Sequence, residues 1–198
     1  MQTNAKRNMA ISAIIILFYL ASGIYGAIND IPVRPNFYAI AVVMMAACML
    51  LLRNMRSWQY IFLCVNLFMA NYLGSIQYFY GKVEGYDLAM HFVSHISLVM
   101  VAYYLLHDVL LPRQPQAVVP QWLIILLCVL FSIAFTALWE IYEFVMDRII
   151  VDLYAQGSGQ PGLVDTMTDM IAGTTGALFA GGLLIIAWRV KQKRTDTV

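Results

Sequence analysis

Apolar residues run along this chain in six long blocks, at 9–25, 37–52, 58–79, 87–106, 121–144 and 165–188, with short polar segments between them. Crossing about 30 Å of hydrocarbon takes roughly 20 helical residues, and most of the blocks reach or approach that length. The pattern predicts six membrane-spanning helices. The separators read as turns: "INDIPVRPN" carries two prolines and two asparagines, "RNMR" ends the second block, and "YGKVEGY" closes the third. Pro112, Pro115 and Pro120 mark the next connection, "AQGSGQPG" the last loop, and a basic tail ends the sequence. No internal repeat or low-complexity tract interrupts this order.

Composition agrees with the pattern. Of 198 residues, 62% are hydrophobic and 12% charged, with a mean hydropathy of +0.74. A soluble domain is nearer 25% charged. The expected fold is an all-α polytopic membrane helical bundle, a single transmembrane domain over 1–198 with no sizeable soluble part. A formal charge of +1 offers nothing to nucleic acid; membrane lipids are the expected surroundings. Cys48, Cys64 and Cys128 lie inside apolar blocks without metal-ligand or redox spacing and read as small packing residues.

Basic residues set the orientation. With the N-terminus inside, Lys6, Arg7, Arg53, Arg56, Arg113, Arg189, Lys191, Lys193 and Arg194 fall on the cytoplasmic side, and Arg34, Lys82 and Arg148 on the outer side. Both termini are therefore expected in the cytoplasm. A basic start before an apolar core also fits a cleavable signal peptide, which would leave five spans oriented the same way.

The acids break the apolar pattern in a concerted way. About 18 apolar residues at 1.5 Å each carry Glu140 about 27 Å outward along the fifth span. Spans four and six run inward from outer loops, so Asp87 and Asp165 start at that same level. His91 and Asp169 then lie about 6 Å deeper, and His95 about 12 Å deeper. Asp87, His91 and His95 step by four residues and share a helix face, as do Asp165 and Asp169; Glu140, Glu143 and Asp147 follow the i, i+3, i+7 stripe. Below Asp169, Gly173, Ala177 and Gly181 form a small-residue stripe that permits close helix approach.

Simpler roles exist for individual residues. Asp87 and Asp165 open helices, where Asp commonly caps. Glu143, Asp147 and Arg148 fit a wet helix end, and His107 and Asp108 an interfacial one. Asn71 and Gln77 read as interhelical hydrogen-bonding residues, and Trp58, Trp122 and Trp188 as an aromatic belt. No capping role explains why His91, Glu140 and Asp169 meet within about one helical turn of the same depth. Intramembrane carboxylates tend to pair, bind ions or relay protons. Imidazole with carboxylates suits zinc or manganese, and an all-oxygen set magnesium or calcium. A divalent metal ion is therefore the expected cofactor, with Asp87, His91, Glu140, Asp165 and Asp169 as candidate ligands and Glu143 and His95 as candidate catalytic groups.

Three segments also carry a resemblance. "YDLAMHF" opening the fourth span, "ALWEIYEF" ending the fifth and "QG…DTMTDMIAGTTGA" opening the sixth resemble the YjdF-type bacterial inner-membrane family and, more distantly, VanZ-like membrane proteins. The likeness covers about 86–182. It implies a helical fold in the bacterial cytoplasmic membrane and supports Asp87, His91, Glu140, Glu143, Asp165 and Asp169 as site residues. The family pattern has Gly where this chain has His95, and a more compact "QGD.WDTQ.DM" in the outer loop. VanZ-like members are linked to glycopeptide-antibiotic resistance, which points to the cell envelope.

Three functions fit these features. The first is a metal-assisted hydrolase or transferase acting on a lipid or envelope precursor, with "AQGSGQPG" as a lid. The second is a proton- or cation-coupled carrier or flippase, which at this size would need a homo-oligomer or a very small substrate. The third is a structural or partner-binding subunit whose polar cluster locks three helices together.

Overall fold

The structure is a computed structural model that describes residues 2–31, 35–114, 116–149 and 162–195. These are almost wholly helical, with no strand among the described residues. In chain order come α1 (Gln2–Ile28), α2 (Pro35–Leu51), α3 (Ser57–Phe68), a π-helical stretch (Met69–Ile76) and the short α4 (Phe79–Lys82). α5 (Tyr86–Tyr103), a second π-helical stretch (Tyr104–Leu110), a 3₁₀ turn (Leu111–Arg113), α6 (Gln121–Ile149) and α7 (Leu163–Thr195) complete it. Five stretches are long and apolar enough to cross a membrane: Asn4–Ile28, Ser57–Ile76, Tyr86–Arg113, Gln121–Arg148 and Leu163–Arg194. The shorter apolar Pro35–Leu51 corresponds to the second predicted span. This is an all-α, multi-pass membrane protein.

Helix ends differ from the hydropathy boundaries for identifiable reasons. α1 begins at Gln2 because its polar first turns are used in packing: the Asn8 amide donates to the carbonyls of Arg53 and Met55 at 2.9 and 2.8 Å. The third span stops at Ile76 rather than 79, since Tyr78 takes a left-handed conformation (φ 63°) that no α-helix accommodates. α6 runs on to Ile149, so Asp147 and Arg148 ride on the helix. α7 likewise carries the basic tail as helix, through Lys193 and Arg194.

The chain forms two compact units, Met1–Met90 and His91–Val198. In the first, Tyr19, Ala41, Met45, Met55 and Tyr60 are fully buried or nearly so. Ser12 hydrogen-bonds Tyr60, and Phe18, Tyr19, Phe68 and Tyr72 form an aromatic cluster with centroids 4.9–6.2 Å apart. The Tyr86 hydroxyl donates to the Met69 carbonyl, where the π-helical stretch begins. Asn71, expected to bridge helices, donates instead to Leu67 one turn back on its own helix.

The second unit is built on α5, α6 and α7. Its apolar core is Val99, Ala102, Ile124, Cys128, Val129, Ala177 and Ala180. Small residues set the spacing: a Cβ on Gly176 would overlap the Phe92 carbonyl oxygen, so α5 and α7 touch backbone to backbone. A Cβ on Gly173 would stand 2.6 Å from His95 Cδ2 and 2.8 Å from Thr136 Oγ1. Past the end of α5, in the second π-helical stretch, His107 pairs with Asp108 at 2.7 Å in a partly exposed position. The three cysteines are free, Cys64 and Cys128 buried and Cys48 partly so.

Candidate metal centre

Each helix of the second unit carries a stripe at four-residue spacing that turns from apolar to polar along its length. On α5 it is Val99, His95, His91. On α6 it is Ile124, Cys128, Ser132, Thr136, Glu140, and on α7 Ala177, Gly173, Asp169. Four residues advance a helix by about 6 Å and turn it by only about 40°, so each stripe stays on one face. All eleven residues are buried. The apolar ends make the core and the polar ends meet beyond it.

At the polar end, His91, Glu140 and Glu143 each offer a ligand atom, and these atoms lie within 4.8 Å of one another. Asp169 joins them from α7, its Oδ2 3.9 Å from His91 Nε2. His91 is 7% exposed, Glu140 4% and Asp169 2%. Carboxylates withdrawn so far from solvent are costly unless paired, protonated or coordinated to an ion. Ligands about 2.1 Å from one tetrahedral ion stand about 3.4 Å apart, so His91, Glu140 and Glu143 close on a cation with side-chain movements of about 1 Å, and Asp169 stands near the same imidazole. The residues therefore fit a divalent metal ion.

Other predicted site residues sit around this group. Glu143 is half-buried and held by the Trp139 indole, which donates to its Oε1 at 2.8 Å. Asp165, in the first turn of α7, lies one turn before Asp169 and outside the close set. Asp87 opens α5 one turn before His91 and belongs to the first unit. Asp147 lies one turn past Glu143 on α6. The segment expected as a lid, "AQGSGQPG", falls outside the described residues except for Gly162.

His95 sits one turn deeper than His91, the two rings near-parallel with centroids 6.5 Å apart. Its Nδ1 is 3.0 Å from Ser132 Oγ and its Nε2 is 3.1 Å from Thr136 Oγ1. Ser132 also donates to the His95 carbonyl at 3.2 Å. His95 is thus a fully hydrogen-bonded floor beneath the acidic group. Ser132, Thr136 and Trp139 escaped the sequence reading, although the i, i+4 order Ser132, Thr136, Glu140 was present; hydropathy treats the hydroxyl residues as nearly neutral.

A family model described as a predicted membrane protein family, DUF2238, matches residues 7–192. The chain belongs to this family. The DUF2238 match extends over the first unit as well as the second, whereas the YjdF-type resemblance rested on 86–182 alone. No curated protein and no solved structure gives a significant match.

Proposed function

We propose that this DUF2238 protein is a metal-assisted hydrolase or transferase acting on a lipid or lipid-linked envelope precursor at the outer boundary of the bacterial inner membrane. One observation carries the reading: three donors from two helices within 4.8 Å, with a fourth donor, the Asp169 carboxylate, 3.9 Å from the shared imidazole. Mixed imidazole and carboxylate donors favour zinc or manganese over magnesium. Bound there, the ion supplies a Lewis acid for a phosphoryl or carbonyl oxygen and acidifies a water molecule. His91, Glu140 and Asp169, the most buried members, are the holding groups. Glu143, more accessible and fixed by Trp139, completes the donor set and is placed to accept and return a proton. Asp165, one turn along α7 from Asp169, is a further carboxylate. The YjdF-type and VanZ-like resemblance supports the membrane and the envelope substrate.

Elemental analysis of purified wild type beside His91→Ala and Asp169→Asn tests this. Stoichiometric zinc or manganese in the wild type, lost in variants that remain folded, supports it. A metal-free wild type that drives cation-dependent uptake into liposomes would make the acids a carrier's ion site. A metal-free protein whose variants only melt earlier would make them a helix lock.

A further inference from the structure

Away from the acids, the first unit gathers cations from distant parts of the sequence. Asn8 is fully buried, and its amide bonds to Arg53 and Met55 fasten the start of α1 to the turn between α2 and α3. Ser57 adds a second tie, donating to Asn4 at 3.1 Å. In that turn the residues divide by polarity: Leu52 and Met55 are buried, while Arg53 and Arg56 are exposed. Lys6 and Arg7, flanking the Asn8 clamp on α1, are exposed as well. Four cations are thereby held at one corner of one unit.

Acids are scarce among the described residues of that unit. Its acids are Asp30, Glu84 and Asp87, and none lies between Asp30 and Glu84. Asp30 follows Asn8 by 22 residues, about 33 Å away just past the far end of α1, so its charge is screened from them. Among the described residues no ion pair engages Lys6, Arg7, Arg53 or Arg56. Immediately beside the cations the surface is apolar: Met9, Leu50, Leu51 and Trp58 are all exposed. An anion that also carries acyl chains matches both halves of this surface.

We propose that this corner binds the phosphate headgroup of an anionic phospholipid, with Leu50, Leu51 and Trp58 against its acyl chains. Basic residues at the end of membrane helices are attracted to anionic lipid, each strengthening binding about fivefold. The Asn8 clamp makes the site by fixing α1 against the turn, so the four charges converge on one headgroup.

The test is lipid retention by the full-length protein, read by native mass spectrometry and by thermal midpoint during titration with phosphatidylglycerol. Phosphatidylglycerol is expected to remain bound and raise the midpoint, and phosphatidylcholine to do neither. Arg53→Gln/Arg56→Gln and Lys6→Gln/Arg7→Gln should each weaken binding at least tenfold, and Arg53→Lys/Arg56→Lys should largely restore it. Asn8→Ala keeps every charge yet should weaken binding several-fold. Equal retention by the wild type and a variant lacking all four cations would overturn the proposal. So would competition by glycerol phosphate at the lipid's own affinity, which would mark a site for soluble phosphate.

Discussion

His91 Nε2 and Asp169 Oδ2 face each other at 3.9 Å, on helices whose backbones meet at Phe92, the next residue after His91, and at Gly176, two turns past Asp169. The separation is wider than a direct hydrogen bond and narrow enough for one ion to bridge. Both side chains are buried, so whatever joins them acts with little screening by solvent.

Metal binding should therefore stabilise the fold measurably. At about one hundred times its dissociation constant a ligand adds about 2.7 kcal/mol. Zinc or manganese is expected to raise the thermal midpoint of the wild type and to leave Asp169→Asn and Glu140→Gln almost unmoved. Equal shifts in all three proteins would rule out these carboxylates as ligands.

Trp139 acts through Glu143. Trp139→Phe keeps the aromatic surface and removes the N–H that fixes the carboxylate. Losing such a supporting bond weakens metal affinity about 10–100-fold. Isothermal titration should show this loss without a lowered midpoint in the metal-free protein; unchanged affinity would reduce the bond to an incidental surface contact.

His95 and Thr136 should be energetically coupled. A double-mutant cycle with His95→Phe and Thr136→Val, followed by unfolding in mixed micelles, is expected to give about 0.6–1.7 kcal/mol, the range for interhelical hydrogen bonds in membranes. A value near zero would mean that His95 is held by shape alone.

The glycines on α7 should differ in tolerance. Gly173→Ala presses on side chains that can shift, and overpacking of that kind costs about 1–3 kcal/mol. Gly176→Ala presses on the Phe92 backbone, which has no rotamer to change, and should cost more. Gly182, where an added Cβ meets nothing within 4 Å, supplies the control: Gly182→Ala should be neutral or stabilising. Equal melting of all three variants would contradict the close helix contact.

Spans and acids were legible in the sequence because both follow helical arithmetic. Counting 1.5 Å per residue is enough to bring His91, Glu140 and Asp169 within about one helical turn of the same level. What escaped was information that periodicity does not hold. Tyr78 ends the third span through its backbone conformation, and hydropathy cannot report an aromatic residue in a left-handed turn. Asn71 looked like a bridge between helices, yet its amide found a nearer acceptor at Leu67. Arg53 and Lys6 are 47 positions apart, and only the Asn8 clamp reveals them as neighbours. Ser132 and Thr136 looked incidental until His95 was placed between them.

The Gly176–Phe92 contact also restricts how such a chain can change length. A residue inserted between His91 and Phe92, or between Asp169 and Gly176, would swing the acidic end by about 100° and lift it by about 1.5 Å. His91 and Asp169 would then no longer confront each other. Insertions past Gly176 toward the basic end leave that geometry untouched. Gaps in an alignment of homologues should accordingly collect on one side of this crossing and avoid the other.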